Sequence, residues 1–94
     1  MTRDALLARI RDLKPWLEKQ GITNVRLYGS RARGDERPDS DVDLLVQCAA
    51  PLGLRCFGIE HELSERLGLD VSMTTEEGLP PDVLYTARRD AILA

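Results

Sequence analysis

Ten residues separate a Gly-Ser step, Gly29-Ser30, from a pair of aspartates at i and i+2, Asp41 and Asp43. Each element closes or opens a stretch that reads as a strand, and this constrains the fold more than any other feature. Asn24 to Tyr28 alternates, with Val25 and Leu27 on one side, and stops at Gly29. Asp41 to Cys48 alternates more clearly: Val42, Leu44 and Val46 take one face and the two aspartates the other. Side chains on a strand repeat with period two, so both carboxylates face the same way while Val42 points into a core. A small glycine lets backbone N–H groups approach an anion closely. The combination suits a nucleoside triphosphate and its magnesium.

The remaining segments supply helices. Thr2 is a candidate N-cap for a helix carrying Leu6, Leu7, Ile10, Leu13 and Leu17 at spacings of three and four. Pro15 interrupts it and predicts a kink or a break into two pieces, and Gly21 stops it. Ser30 to Gly34 reads as one or two helical turns, followed by a polar loop through Pro38 and Asp39. After a connector over Ala49 to Gly53, Cys56, Ile59, Leu63 and Leu67 mark a second long helix that Gly68 ends. Leu69 to Met73 alternates again. If that strand lies beside the second one on the same core, Asp70 shares the face of Asp41 and Asp43. Leu79-Pro80-Pro81-Asp82 starts a last helix through Val83, Leu84 and Ala87, and the closing RRDAILA either continues it or adds an edge strand. This order predicts an α/β (α+β) domain over residues 1–94: a small mixed sheet with helices packed on one face.

Composition narrows the function. Hydrophobic residues make up 43% and charged residues 31%, which excludes a disordered chain, and 94 residues leave no room for a separate substrate domain. A net charge of −3 argues against direct nucleic-acid binding. No apolar run approaches membrane-spanning length, so the expected location is cytoplasmic, with no membrane contact. Cys48 and Cys56 lack metal or redox spacing and read as reduced, half-buried thiols; His61, the single histidine, reads as a surface or packing residue.

LYGSRARG followed by SDVDLLV resembles the minimal nucleotidyltransferase domain of the DNA polymerase beta superfamily, above all the antitoxin-type members paired with HEPN-domain toxins. The resemblance implies that Gly29 and Ser30 bind the beta and gamma phosphates, with Arg31 or Arg33 adding charged contacts and Ser40 joining the nucleotide site. It implies that Asp41, Asp43 and Asp70 are catalytic and bind two Mg2+ ions, with ATP as substrate. The implied reaction is transfer of AMP or another nucleotide to a hydroxyl on a partner, a HEPN-type toxin. Two alternatives remain: a non-catalytic antitoxin that neutralises its partner by complex formation, and the catalytic subunit of a small-molecule nucleotidyltransferase. Read without the resemblance, Gly29-Ser30 is also compatible with an ordinary turn, and Arg31, Arg33 and Arg37 with pairing to Asp35, Glu36 and Asp39.

Overall fold

The computed structural model describes residues 1–94. The Thr2 hydroxyl accepts the Ala5 N–H at 3.1 Å and opens α1 (Arg3–Asp12). Pro15 divides the first helical stretch in two, because α2 (Lys14–Lys19) begins with the proline in its first turn, where no N–H is required. Leu6, Leu7, Ile10 and Leu17 are buried, and Leu13 is only partly covered.

Strand β1 spans Ile22–Tyr28 and starts earlier than its alternation indicates. The cause is an irregularity at Asn24, whose φ is 49, with a register shift between Thr23 and Arg26. The bulge lets Ile22 and Val25 both face the core although they are three residues apart. Strand β2 (Val42–Cys48) pairs antiparallel with β1, aligning Leu27 with Leu44 and Tyr28 with Asp43. Helix α4 (Arg55–Leu67) then crosses over to β3 (Val71–Thr74), which runs parallel to β2 with Val42 beside Val71. Gly68, at φ 69, stops α4 and donates to the Ser64 carbonyl at 2.8 Å.

RRDAILA does both things open to it. Its first residues end α5 (Pro81–Asp90), and Ile92–Leu93 form β4 along the outer side of β1. The finished sheet has the order β3-β2-β1-β4. Helices α1, α2 and α4 enclose the main core with Ile10, Leu17, Leu27, Leu44 and Leu63, all fully buried. Each such leucine contributes about 1.5–3 kcal/mol by leaving water. No helix is long and apolar enough to cross a membrane.

Polar side chains of α4 also cap the free edge of β3. Ser64 Oγ accepts the Val71 N–H at 3.0 Å and Glu60 Oε2 accepts the Met73 N–H at 2.7 Å. Those bonds blunt an edge that is otherwise open to strand addition. On the sheet's second face Leu45 is fully buried, and Arg26 bridges to Glu76 in a 3-10 turn, Glu76–Gly78, at 3.0 Å. Tyr28 and Asp43 share this second face by register.

Candidate active site

Where β1 ends, the chain reverses through a conformation that only glycine takes readily. Gly29 has φ 78 and ψ −156, and α3 (Ser30–Arg33) starts immediately after it. The Gly29 carbonyl accepts the N–H groups of Ala32 and Arg33 at 3.1 Å each, so the N–H groups of Ser30 and Arg31 precede the first internal bonds of the turn. Backbone donors in that position suit an anion. Gly34, at φ 83, closes the turn with its N–H on the Ser30 carbonyl at 2.9 Å.

The absent side chain of Gly29 also makes room for a carboxylate. A Cβ there would stand 2.5 Å from Asp43 Oδ2 and 3.4 Å from Asp43 Cγ. The turn and the aspartate pair, distant in sequence, are therefore in contact. Asp43 is half-buried, and burial, then the charge of Asp41, hold its pKa above the ordinary carboxylate value, with Arg33 opposing them. Tyr28, its cross-strand neighbour, has its hydroxyl pKa raised by burial and then by Asp43.

Asp41 and Asp70 each lie one residue before their strand, and the Asp70 carbonyl accepts the Val42 N–H at 2.7 Å. Extending the register sets the two residues side by side at one end of the sheet. Their side chains do not complete a cage: no three His, Cys, Asp or Glu groups gather closely enough to hold a metal ion. Both residues stand at the end of the ladder, Asp70 joined to it by the bond its carbonyl accepts from Val42. Asp70 also lines a polar cleft of about 470 Å³ together with Ser40, His61 and Ser64. The donor set that does assemble, Asp41 and Asp43, consists of hard oxygens whose mutual repulsion Arg33 offsets only in part. It fits magnesium, which takes oxygen ligands, readily completes its shell with phosphate and water, and needs few protein ligands.

The arginines divide their tasks. Arg31 is 4% exposed and donates from Nε at 3.1 Å and Nη2 at 3.0 Å to the Ser40 carbonyl. Arg33 is exposed and pairs with Asp35 at 3.1 Å and Asp90 at 3.2 Å. Ser40 Oγ accepts the Arg37 N–H at 2.8 Å. His61 is a surface residue 3.5 Å from Glu65, and Cys48 and Cys56 are free and half-buried, their thiol pKa values raised chiefly by burial. Sequence reasoning missed Tyr28 and Asp90. Tyr28 is detectable only through strand register, and Asp90 has no local signal, since its link to Arg33 spans 57 positions.

The model of the family described as "Nucleotidyltransferase domain" matches residues 9–93. The chain is 32% identical over 76 residues to protein adenylyltransferase MntA of Thermococcus cleftensis, covering 80% of this chain and 77% of that protein. It is likewise 32% identical over 72 residues to a Methanocaldococcus jannaschii protein assigned as a protein adenylyltransferase, covering 76% of this chain and 77% of the relative. A solved structure assigned as a minimal nucleotidyltransferase superposes with a TM-score of 0.81 at 34% identity, over 100% of this chain and 97% of the other. A crystal structure described as a toxin-antitoxin with AMP-PNP shares the fold, with a TM-score of 0.76 at 19% identity over 93% of this chain and 70% of the other.

Proposed function

Because the chain belongs to the nucleotidyltransferase domain family, we propose that it transfers AMP, or another nucleoside monophosphate, from a triphosphate to a hydroxyl on a partner protein. The proposed partner is a HEPN-type toxin, and the proposed consequence is its neutralisation. The observation that carries the reading is the contact between Gly29 and Asp43, which sets a turn with free backbone N–H groups against a carboxylate pair. Relatives named protein adenylyltransferase support a protein acceptor, and the toxin-antitoxin neighbour supports the pairing.

In this reading the Ser30 and Arg31 N–H groups and the Ser30 hydroxyl hold the beta and gamma phosphates. Asp41 and Asp43 would hold two Mg2+ ions, and Asp70, beside Asp41 by register, would serve the ion nearest the attacking hydroxyl. The bound metal supplies charge neutralisation at the phosphates and lowers the pKa of the attacking hydroxyl. Asp43, half-buried beside Asp41, is destabilised as an anion until a cation arrives, so the fold stores an attraction for one. Arg33, paired with Asp35 and Asp90, sits near enough to Asp43 to moderate that charge.

A second reading has one observation in its favour: the three candidate carboxylates do not gather into a three-ligand group. It makes the domain a module that silences its partner by binding alone. Incubating the protein with its co-purifying partner, magnesium and each triphosphate in turn separates the two. Transfer adds the mass of a nucleoside monophosphate to the partner; an unmodified partner in a stable complex overturns the catalytic reading.

A further inference from the structure

Arg31 stands apart from every other arginine in the chain. It is 4% exposed, forms no ion pair, and spends two donors on one neutral acceptor, the Ser40 carbonyl, at 3.1 and 3.0 Å. Burying a guanidinium without a carboxylate is costly, and a partner was within reach of the fold. Glu36 lines the same small cleft as Arg31, and its Oε2 is buried without a hydrogen-bond partner. The side chain is nevertheless committed to the carbonyl that immediately precedes Asp41.

That commitment closes a loop. Residues 34–41 carry no helix or strand and are polar apart from Gly34 and Pro38, yet they must deliver Asp41 to a fixed place beside Asp43. Val42 begins the ladder with its N–H on the Asp70 carbonyl at 2.7 Å, which fixes one side of Asp41. The Arg31 fork fixes the other side through the Ser40 carbonyl. Arg31 is itself the second residue of α3, whose far side is tied down by Arg3 Nη1 on the Ala32 carbonyl at 3.1 Å. The phosphate-binding turn and the aspartate pair are thereby joined twice, through Gly29 against Asp43 and through Arg31 against Ser40.

We propose that Arg31 is a positioning residue: it acts through the Ser40 carbonyl to set Asp41 beside Asp43, and its guanidinium does not touch the phosphates. The inference rests on the active-site reading above and deepens it. It assigns to a buried side chain control over how the site uses a divalent cation, leaving phosphate recognition to the backbone of the turn. A planar fork that donates twice to one oxygen has no equivalent in lysine, whose ammonium is a single point of charge.

The test compares Arg31→Lys, which keeps the charge, with Arg31→Gln, which keeps a donor, using α,β-methylene-ATP as the probe and calorimetry as the readout. Both variants should bind the probe without metal within about twofold of wild type, while the Mg2+ concentration that half-saturates the tightening rises about tenfold, as expected when one carboxylate of a chelating pair is misplaced. A tenfold loss of metal-free affinity in both variants would mean that Arg31 contacts phosphate, and an unchanged Mg2+ response in both would mean that it positions nothing. Either result overturns the proposal. Amide hydrogen exchange gives a second readout independent of nucleotide. Exchange at the Ser40 amide, which donates to the Arg37 carbonyl at 3.0 Å, should quicken about tenfold in both variants while Ala32 and Arg33 keep wild-type rates, and unchanged Ser40 exchange would also overturn the proposal. If wild type shows no Mg2+ response, the active-site reading fails, and the exchange data still decide what Arg31 holds.

Discussion

Replacing Gly29 by alanine strikes two independent features of the turn, and the structure separates their costs. The first is backbone strain. At φ 78 and ψ −156 a residue with a Cβ occupies a region reserved for glycine, at a cost of about 1–3 kcal/mol. The second is collision, since the new Cβ stands 2.5 Å from Asp43 Oδ2, and the carboxylate has to rotate away for roughly another 1 kcal/mol. Together they come to about 2–4 kcal/mol, and at about 4–8 °C per kcal/mol for a domain of this size the melting midpoint should fall by roughly 8–32 °C. Asp43→Ala removes the colliding oxygen and leaves Asp43 Cβ at 3.5 Å from the new methyl, an ordinary contact. In that background Gly29→Ala should cost about 1 kcal/mol less, a coupling of the size seen for residues in direct contact. Thermal melts of the four proteins in the cycle measure it. Equal losses in the two backgrounds would refute the claim that Gly29 exists partly to admit Asp43.

Asp43→Asn should abolish nucleotide transfer and raise the melting temperature by a few degrees at pH 7 in metal-free buffer. The folded pKa of Asp43 lies above its unfolded value near 3.8, so the charged group penalises the fold above its raised pKa and costs nothing below 3.8. The stability gap between variant and wild type should therefore close as pH falls through that window, and a variant less stable than wild type at pH 7 would contradict the assignment. Glu76 behaves oppositely. Hydrogen bonds from Arg88, then Arg26, hold its pKa at about 2 against an ordinary 4.5, so its contribution is complete above pH 4.5 and is lost as pH falls toward 2. Glu76→Gln should lower the melting temperature at pH 7 and leave a smaller difference in acid, and parallel stability curves from pH 7 to pH 2 would count against it.

Local signals carried the elements that place the site. The Leu stripe with Pro15 inside it marked α1 and α2, the run from Val42 to Val46 marked β2, and Gly68 marked the end of α4. What local pattern cannot express is register and reach. The bulge at Asn24 broke the alternation that defines a strand, which hid Ile22 and Thr23 from β1. Alternation placed Asp70 on the face of Asp41 and Asp43, and the register does bring Asp70 beside Asp41, but alternation says nothing of whether three carboxylates close to ligand distance, and here no group of three does. Arginine roles were equally invisible, because a composition of mixed charge offers Arg31 and Arg33 many partners. Only tertiary packing shows that one holds a carbonyl and the other two carboxylates. The closing RRDAILA was ambiguous for a real reason, since the helix-to-strand change at Ala91 depends on β1 offering a free edge.

The central claim is that Gly29, Ser30, Asp41 and Asp43 form one triphosphate site that transfers a nucleotide to a protein. Its most direct test uses ATP labelled at the alpha phosphate, with magnesium and the co-purifying partner, comparing wild type with Asp43→Asn. Wild type should move the label onto the partner and release unlabelled pyrophosphate, while Asp43→Asn, folded and still bound to the partner, should move none. Label transfer that persists in Asp43→Asn, or a wild-type complex in which all label stays on ATP, would contradict the account.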